Sequence, residues 1–241
     1  VLDIMSTDTQ DTAPALSADS NNGASDLKEM KKFERWRKSL QYITGLGMSE
    51  TERTDFRRQV DHEASGWQCQ QCETWRDSLM KNSANVRFML ENLQKVGCAM
   101  KKEDFKCMPC DETRSGGFSP QDGILLCQNR FFSKKHQEDT MVHEMIHMFD
   151  NCRFKVDWSN CKHHACSEIR AASLSGDCRW TREVRRGFYT FTKQHQACVK
   201  RRAILSVRQN PACADEGCAE RAVHSVFESC FADTRPYDEI Y

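Results

Sequence analysis

Thr140-Met-Val-His143-Glu144-Met-Ile-His147-Met-Phe149 is the stretch on which the reading of this chain turns. His143 and His147 stand four apart, so on an α-helix both imidazoles leave one face, about one turn from each other. That spacing lets two ring nitrogens reach the same tetrahedral Zn²⁺, with Glu144 beside it as general base. From Thr140 to Phe149 no other side chain is charged, and Met141, Val142, Met145, Ile146, Met148 and Phe149 are apolar. Such a helix is buried nearly all round, where three titratable groups are costly unless a metal or hydrogen bonds compensate. A surface helix with two solvated histidines would not need that uncharged surround. The stretch reads as the active-site helix of a zinc peptidase.

Composition bounds the rest. A chain of 241 residues can build one good-sized core plus appendages. Lys+Arg and Asp+Glu both number 35, so no global field argues for nucleic acid, and none is expected as a partner. No apolar run approaches the ~20 residues of a transmembrane helix, which predicts a soluble or peripherally attached protein. Val1 to Met5 lack the basic start and apolar core of a secretory signal. Fourteen cysteines, all from Cys69 onward, point to a disulfide framework and an oxidising compartment. The mitochondrial intermembrane space fits both facts, although composition alone does not select it.

The fold class expected is α+β: a mostly helical, zincin-like metallopeptidase with a small antiparallel sheet, rich in disulfides. Residues 1–26 are polar, with few large apolar groups, and are expected to be disordered. A variable helical segment, 27–66, follows, and then the metallopeptidase domain, 67–241. Leu27, Met30, Phe33, Trp36, Leu40 and Ile43 recur at helical steps. Lys28 to Lys38 hold six Lys or Arg against two Glu. Such a helix can lie in an anionic membrane interface or pack on the core with its basic face solvated. Ser49 to Glu52 form a capping box for a helix running toward His62, and Ser65-Gly66 marks a boundary. Further helices are expected at Asn85–Lys95, Lys135–Asn151, Cys166–Leu174, Trp180 to about Leu205, and Glu216–Ala232. Between Lys101 and Arg130 the turn residues around Ile124-Leu-Leu-Cys127 predict a hairpin or small sheet. Ile124–Cys127 is expected to be the substrate-binding edge.

A catalytic zinc takes three protein ligands and keeps one open position. Glu168, 21 residues after His147 on a returning helix, is one candidate for the third ligand, and Ala171 and Ala172 would let that helix pack closely. Asp150 is the other, although its place on the helix suits it better to holding an imidazole N–H. His163 and His164, in an expected loop, are weaker candidates for ligand or oxyanion stabiliser. Cys69-x-x-Cys72 and Cys107-x-x-Cys110 could make a Cys₄ zinc knuckle, but among ten more cysteines disulfides are favoured. Bridges from Cys152, Cys161, Cys166 and Cys178 are expected to fix Glu168 against the histidines.

Several runs resemble one family: Thr140 to Asp150, Cys152 to Trp158, Ala165 to Cys178, Ser115-Gly-Gly-Phe118, Leu126-Cys-Gln-Asn129 and Val226 to Phe231. They are similar to the mitochondrial inner-membrane metalloprotease family of ATP synthase assembly. The resemblance implies a zinc endopeptidase of the intermembrane space, peripheral to the inner membrane. Its substrate would be the precursor of ATP synthase subunit 6, from which it removes an N-terminal peptide. Members also assist membrane-sector assembly intermediates, a role that need not require proteolysis. The cysteines would be oxidised by the intermembrane-space disulfide relay. The motif carries over to His143 and His147 as ligands and Glu144 as the catalytic residue. Position 172 is Ala where some HExxH/Glu peptidases place an acid that orients a zinc histidine, so Asp150 or Asp157 would have to serve. The contrasting reading is a non-catalytic assembly chaperone with a vestigial or structural metal site.

Overall fold

The computed structural model describes residues 47–110, 114–189 and 193–238, together with isolated positions between 34 and 44. Two compact units divide the chain, Val1–Asp61 and His62–Tyr241. In the first, the described residues between 34 and 44 are helical, with Trp36 and Leu40 exposed. Leu27, Met30, Phe33 and Ile43, and the whole of 1–26, lie outside the described residues. The expected capping box is present: the Ser49 amide donates to Glu52 Oε2 at 2.8 Å and the Glu52 amide to Ser49 Oγ at 3.3 Å.

Helix α1, Glu50–Asn82, runs twenty residues beyond the expected end at His62. A Cβ at Gly66 would meet nothing within 4 Å, so that glycine is an ordinary interior residue with no special conformation to impose. Its neighbours are fixed from outside, since Gln128 Nε2 donates to the Ser65 carbonyl at 2.9 Å and Gln137 Nε2 to that of Cys72 at 2.8 Å. Tertiary bonding here overrides a weak local stop. Ser83 alone separates α1 from α2, Ala84–Lys95, and caps it by accepting from the Val86 amide.

Strands β1 (Phe105–Met108), β2 (Gly116–Ser119) and β3 (Gly123–Cys127) form one sheet in the order β1-β3-β2. The β2–β3 pair is the expected hairpin. β1 pairs with β3 in parallel, so the sheet is mixed. The order corrects one expectation: β3 is central and paired on both sides, and β2 is the edge beside the site. Helix α3, Lys134–Arg153, follows, capped by Ser133. Helix α4, Cys161–Leu174, is capped by Asn160 and returns against α3. The expected Trp180–Leu205 helix is two, α5 (Trp180–Arg185) and α6 (Gln194–Val207), because Gly187 adopts φ +88° just past α5. Helix α7 is Cys218–Ala232.

Two cores result. The first gathers Val86, Met89 and Leu93 of α2, Phe105, Ile124 and Leu126 of the sheet, and Met141, Met145, Ile146 and Phe149 of α3. The second joins Ala165, Ile169 and Ala172 of α4 to Val199 and Ala203 of α6 and Val223 and Phe227 of α7. Ala171 and Ala172 are both fully buried, the first in the α3 core and the second in the other. Six disulfides respect this division: 72–107, 98–152 and 110–127 in the first half, 161–213, 166–230 and 178–198 in the second. Cys69 and Cys218 are free. No Cys₄ knuckle exists, since Cys72 bonds to Cys107 and Cys110 to Cys127. Nor does any bridge clamp α4 to α3, contrary to expectation. Cys161 and Cys166 point into the second core, on the side of α4 away from α3.

Candidate metal centre

The site lies where the two cores meet. Helix α3 contributes His143, Glu144 and His147, and α4 brings Glu168 to them. Glu168 Oε2 is 3.6 Å from His143 Nε2, and its Oε1 is 3.4 Å from His147 Nε2. One ligand atom from each of the three residues lies within 4.8 Å of the other two. Two imidazole nitrogens and one carboxylate oxygen are the donor set of many catalytic zinc sites, and these residues fit that ion. Glu144, His147 and Glu168 are buried, and His143 is partly open to the cleft.

Hydrogen bonds set which atoms remain for an ion. Ser167 Oγ donates to Asp150 Oδ2 at 2.8 Å, so it accepts from His147 Nδ1–H, also at 2.8 Å. That fixes the tautomer and turns Nε2 toward Glu168. Asp150 is held in turn by Arg170 Nε at 3.0 Å, and Arg170 continues to the carbonyls of Asp233 and Arg235. Asp150 therefore stands behind Ser167, away from the ligand group. Asp157 is exposed and accepts from the Ser159 amide and hydroxyl, so it belongs to the α3–α4 loop.

His163 and His164 lie in the first turns of α4, where a loop was expected. His163 Nδ1 accepts from the Asp157 amide at 3.2 Å. His164 is closer to the site. Asn210 Nδ2 donates to its Nδ1 at 3.0 Å, leaving Nε2–H directed at Glu168 Oε1, 3.3 Å away. Ser206 Oγ also donates to that oxygen, at 2.7 Å. Oε1 is thus occupied, and Oε2, beside His143, has the fewer competing partners. Ser167, Ser206 and Asn210 were not singled out by the sequence, where nothing links a serine 38 residues downstream to Glu168.

The electrostatics follow. Burial pushes the Glu144 carboxyl up, only partly offset by the neighbouring histidines. Burial pulls the His147 imidazole down, but Glu168, Glu144 and Asp150 outweigh it and raise it to about 9. Burial would likewise raise Glu168, yet His147, His143 and His164 hold it well below the usual carboxylate range. Ion binding must then displace the proton from His147.

A cleft of about 1150 Å³ runs over this group. Strand β2 forms one wall at very close range: a Cβ on Gly116 would come 2.7 Å from Thr140 Cγ2 and 3.0 Å from Glu144 Oε1. Phe118, Trp158 and His147 cluster at one end, with ring centroids 5.6 Å (Phe118–Trp158) and 6.0 Å (His147–Trp158) apart. Among the described residues, no helix is long and apolar enough to cross a membrane.

Comparison with known proteins agrees with this geometry. The mitochondrial inner membrane protease atp23 of Aspergillus clavatus is 48% identical over 211 residues, covering 87% of this chain and 89% of its own. The mitochondrial inner membrane protease ATP23 of Saccharomyces cerevisiae is 48% identical over 217 residues, covering 87% of this chain and 96% of its own. No solved structure matches. The family model described as the Peptidase M76 family matches residues 70–238, which include both cores, β2 and every side chain of the site, and the chain belongs to that family.

Proposed function

We propose that this chain is a zinc endopeptidase of the mitochondrial intermembrane space, peripheral to the inner membrane. In this reading it removes the N-terminal peptide of ATP synthase subunit 6 and assists assembly of the membrane sector. The observation that carries the chemistry is the meeting of His143, His147 and Glu168 beside buried Glu144. The location is supported by the printed names of the relatives. The substrate rests on the resemblance of the quoted motifs, and oxidation by the disulfide relay on the six bridges together with that resemblance.

Zinc, when bound, acidifies a water molecule and polarises the scissile carbonyl. The chain's own residues do the rest. Glu144 takes a proton from the attacking water and returns it to the leaving amine. The free edge of β2 offers main-chain groups to an extended peptide, bringing it across the face of α3. Ser167, Asp150 and Arg170 hold His147, while His164 and Ser206 hold Glu168. Attachment to the membrane surface would fall to the basic stretch from Leu27 to Ile43, and deleting residues 1–44 should release the protein from anionic liposomes.

Glu144→Gln tests the reading. The variant should retain one zinc per chain by elemental analysis while subunit 6 keeps its unprocessed N-terminus. Full maturation by that variant would overturn the enzymatic assignment. Assembly without maturation would show the chaperone activity to be separable.

A further inference from the structure

The two ends of the cleft differ in charge. Helix α3 lies along its floor, where His136, Asp139, Thr140, His143 and Glu144 follow one another. Beyond His143, toward His136, five arginines line the wall: Arg114, Arg130, Arg182, Arg186 and Arg202. Among the described residues, the carboxylates at that end are Asp139 and Asp177, because Glu144 and Glu168 belong to the metal group. Asp177 alone receives Arg182 at 3.2 Å, Arg186 at 2.7 Å and Arg202 at 2.8 Å. Asp139 receives Arg182 and Lys135. Setting Arg114 aside, the other four arginines against Asp139 and Asp177, or six cations against four anions once Lys135, Arg201, Glu138 and Glu183 are included, leave an excess of two among the described residues. The pairing therefore orders the guanidinium groups without neutralising them.

Part of that charge faces the cleft. Arg202 spends its Nε on Asp177 and is 42% exposed. Arg130 is exposed, with no ion pair among the described residues. His136 senses the field: burial and then Arg182, Arg186 and Arg202 hold its imidazole down at about 4 in spite of Asp177. The opposite end, with Phe118 and Trp158, has no such group among the described residues.

We infer that the His136 end of the cleft is a subsite for an acidic side chain of the peptide substrate, with Arg130 and Arg202 as its contacts. This deepens the peptidase reading and rests on it. His136 lies about 10 Å along the helix from His143. At about 3.3 Å per extended residue, the acidic side chain sits about three residues from the scissile bond. An acid there is drawn in before the peptide is aligned on β2, and salt weakens the attraction.

The test uses the full-length zinc-loaded protein and peptides, each as the C-terminal amide and as the free acid, that differ only in Glu or Gln three residues to either side of the cleaved bond. Binding to the Glu144→Gln form is read by fluorescence anisotropy and needs no turnover; kcat/KM is read on the wild type. Glu on one side should bind and be cut about tenfold better than Gln. Arg130→Gln and Arg202→Gln should each reduce that ratio. Arg130→Gln breaks no ion pair among the described residues, so it decides the matter if Arg202→Gln fails to fold. Equal binding of Glu and Gln peptides overturns the subsite, and cleavage without preference does so while leaving the peptidase reading intact. A preference that follows a free terminal carboxylate instead of the side chain also overturns it. So does a pair of variants that lose only binding to anionic lipid vesicles.

Discussion

His147 and Asp150 lie one turn apart on the same helix, yet they are joined only through a side chain from another. Ser167 of α4 sits 2.8 Å from each of them. The Asp side chain is too short to reach back along α3 to the ring, and the hydroxyl completes the path. Because Ser167 immediately precedes Glu168, the residue that orients one candidate ligand adjoins the residue that supplies another.

Ser167→Ala should leave the fold intact and lower zinc affinity about 10–100-fold, the usual cost of losing an outer hydrogen bond to a metal-binding histidine. Chelator competition measures this. Ser167→Thr, which keeps the hydroxyl, should recover most of the affinity. Equal zinc retention by the alanine variant would mean that the relay to Asp150 is idle.

The two adjacent glycines of β2 should respond differently. Alanine at 116 meets Thr140, Glu144 and the Leu125 carbonyl within 3.1 Å, whereas alanine at 117 meets nothing within 4 Å. Gly116→Ala should cost about 1–3 kcal/mol and depress kcat/KM by displacing Glu144. Gly117→Ala should be nearly silent. Indistinguishable kinetics for the pair would contradict the close approach of β2 to α3.

Arg170 is buried and bound to Asp150, the Asp233 carboxylate and two carbonyls near the C-terminus. Arg170→Met strands the Asp150 charge and should destabilise the protein by about 3–5 kcal/mol in urea unfolding. The double variant Arg170→Met/Asp150→Leu should regain part of that loss. A double variant as unstable as the sum of its parts would show that the two do not act as a pair.

His136 predicts a pH effect of definite sign. Its folded imidazole is held at about 4, against 6.5 in the unfolded chain. The unfolded state takes up the proton first as pH falls. The stability it contributes is complete above pH 6.5 and declines between 6.5 and 4. His136→Gln should lack this component, so wild type minus variant in unfolding free energy should shrink steadily from pH 7 to pH 4.5. A difference that grows instead would reverse the inferred field.

Alkylation under denaturing, non-reducing conditions, followed by mass spectrometry, should label two of the fourteen cysteines, Cys69 and Cys218. Eight or more labelled thiols would sink the oxidised framework.

Short-range signals were legible in the sequence, and long-range ones were not. The burial of α3 follows from its uncharged stretch, and α2, α3 and α7 begin within two residues of their expected starts. The capping box at Ser49 is likewise local. Helix α1 outran its expected end because side chains from the turn after β3 and from α3 hold its backbone. The substrate edge was assigned to β3 because its apolar run is conspicuous, but apolar runs mark central strands and edges are often poorer in them. Gly116-Gly117 carried the signal for β2. The choice between Glu168 and Asp150 needed the α3–α4 approach, and Glu168 is held by Ser206 of α6 and by His164, itself held by Asn210 from the loop before α7. Disulfide pairing depends wholly on such distant contacts.

The two sets of three bridges carry one more implication, which concerns time. None of them waits for a cysteine from the other half, and the dividing point falls between Cys152 and Cys161. A chain delivered N-terminus first can oxidise and lock its opening portion while the remainder is still in transit, with no crossed pairing to undo. The metal site draws His143 and His147 from one half and Glu168 from the other, so no bridge spans the two surfaces that form it.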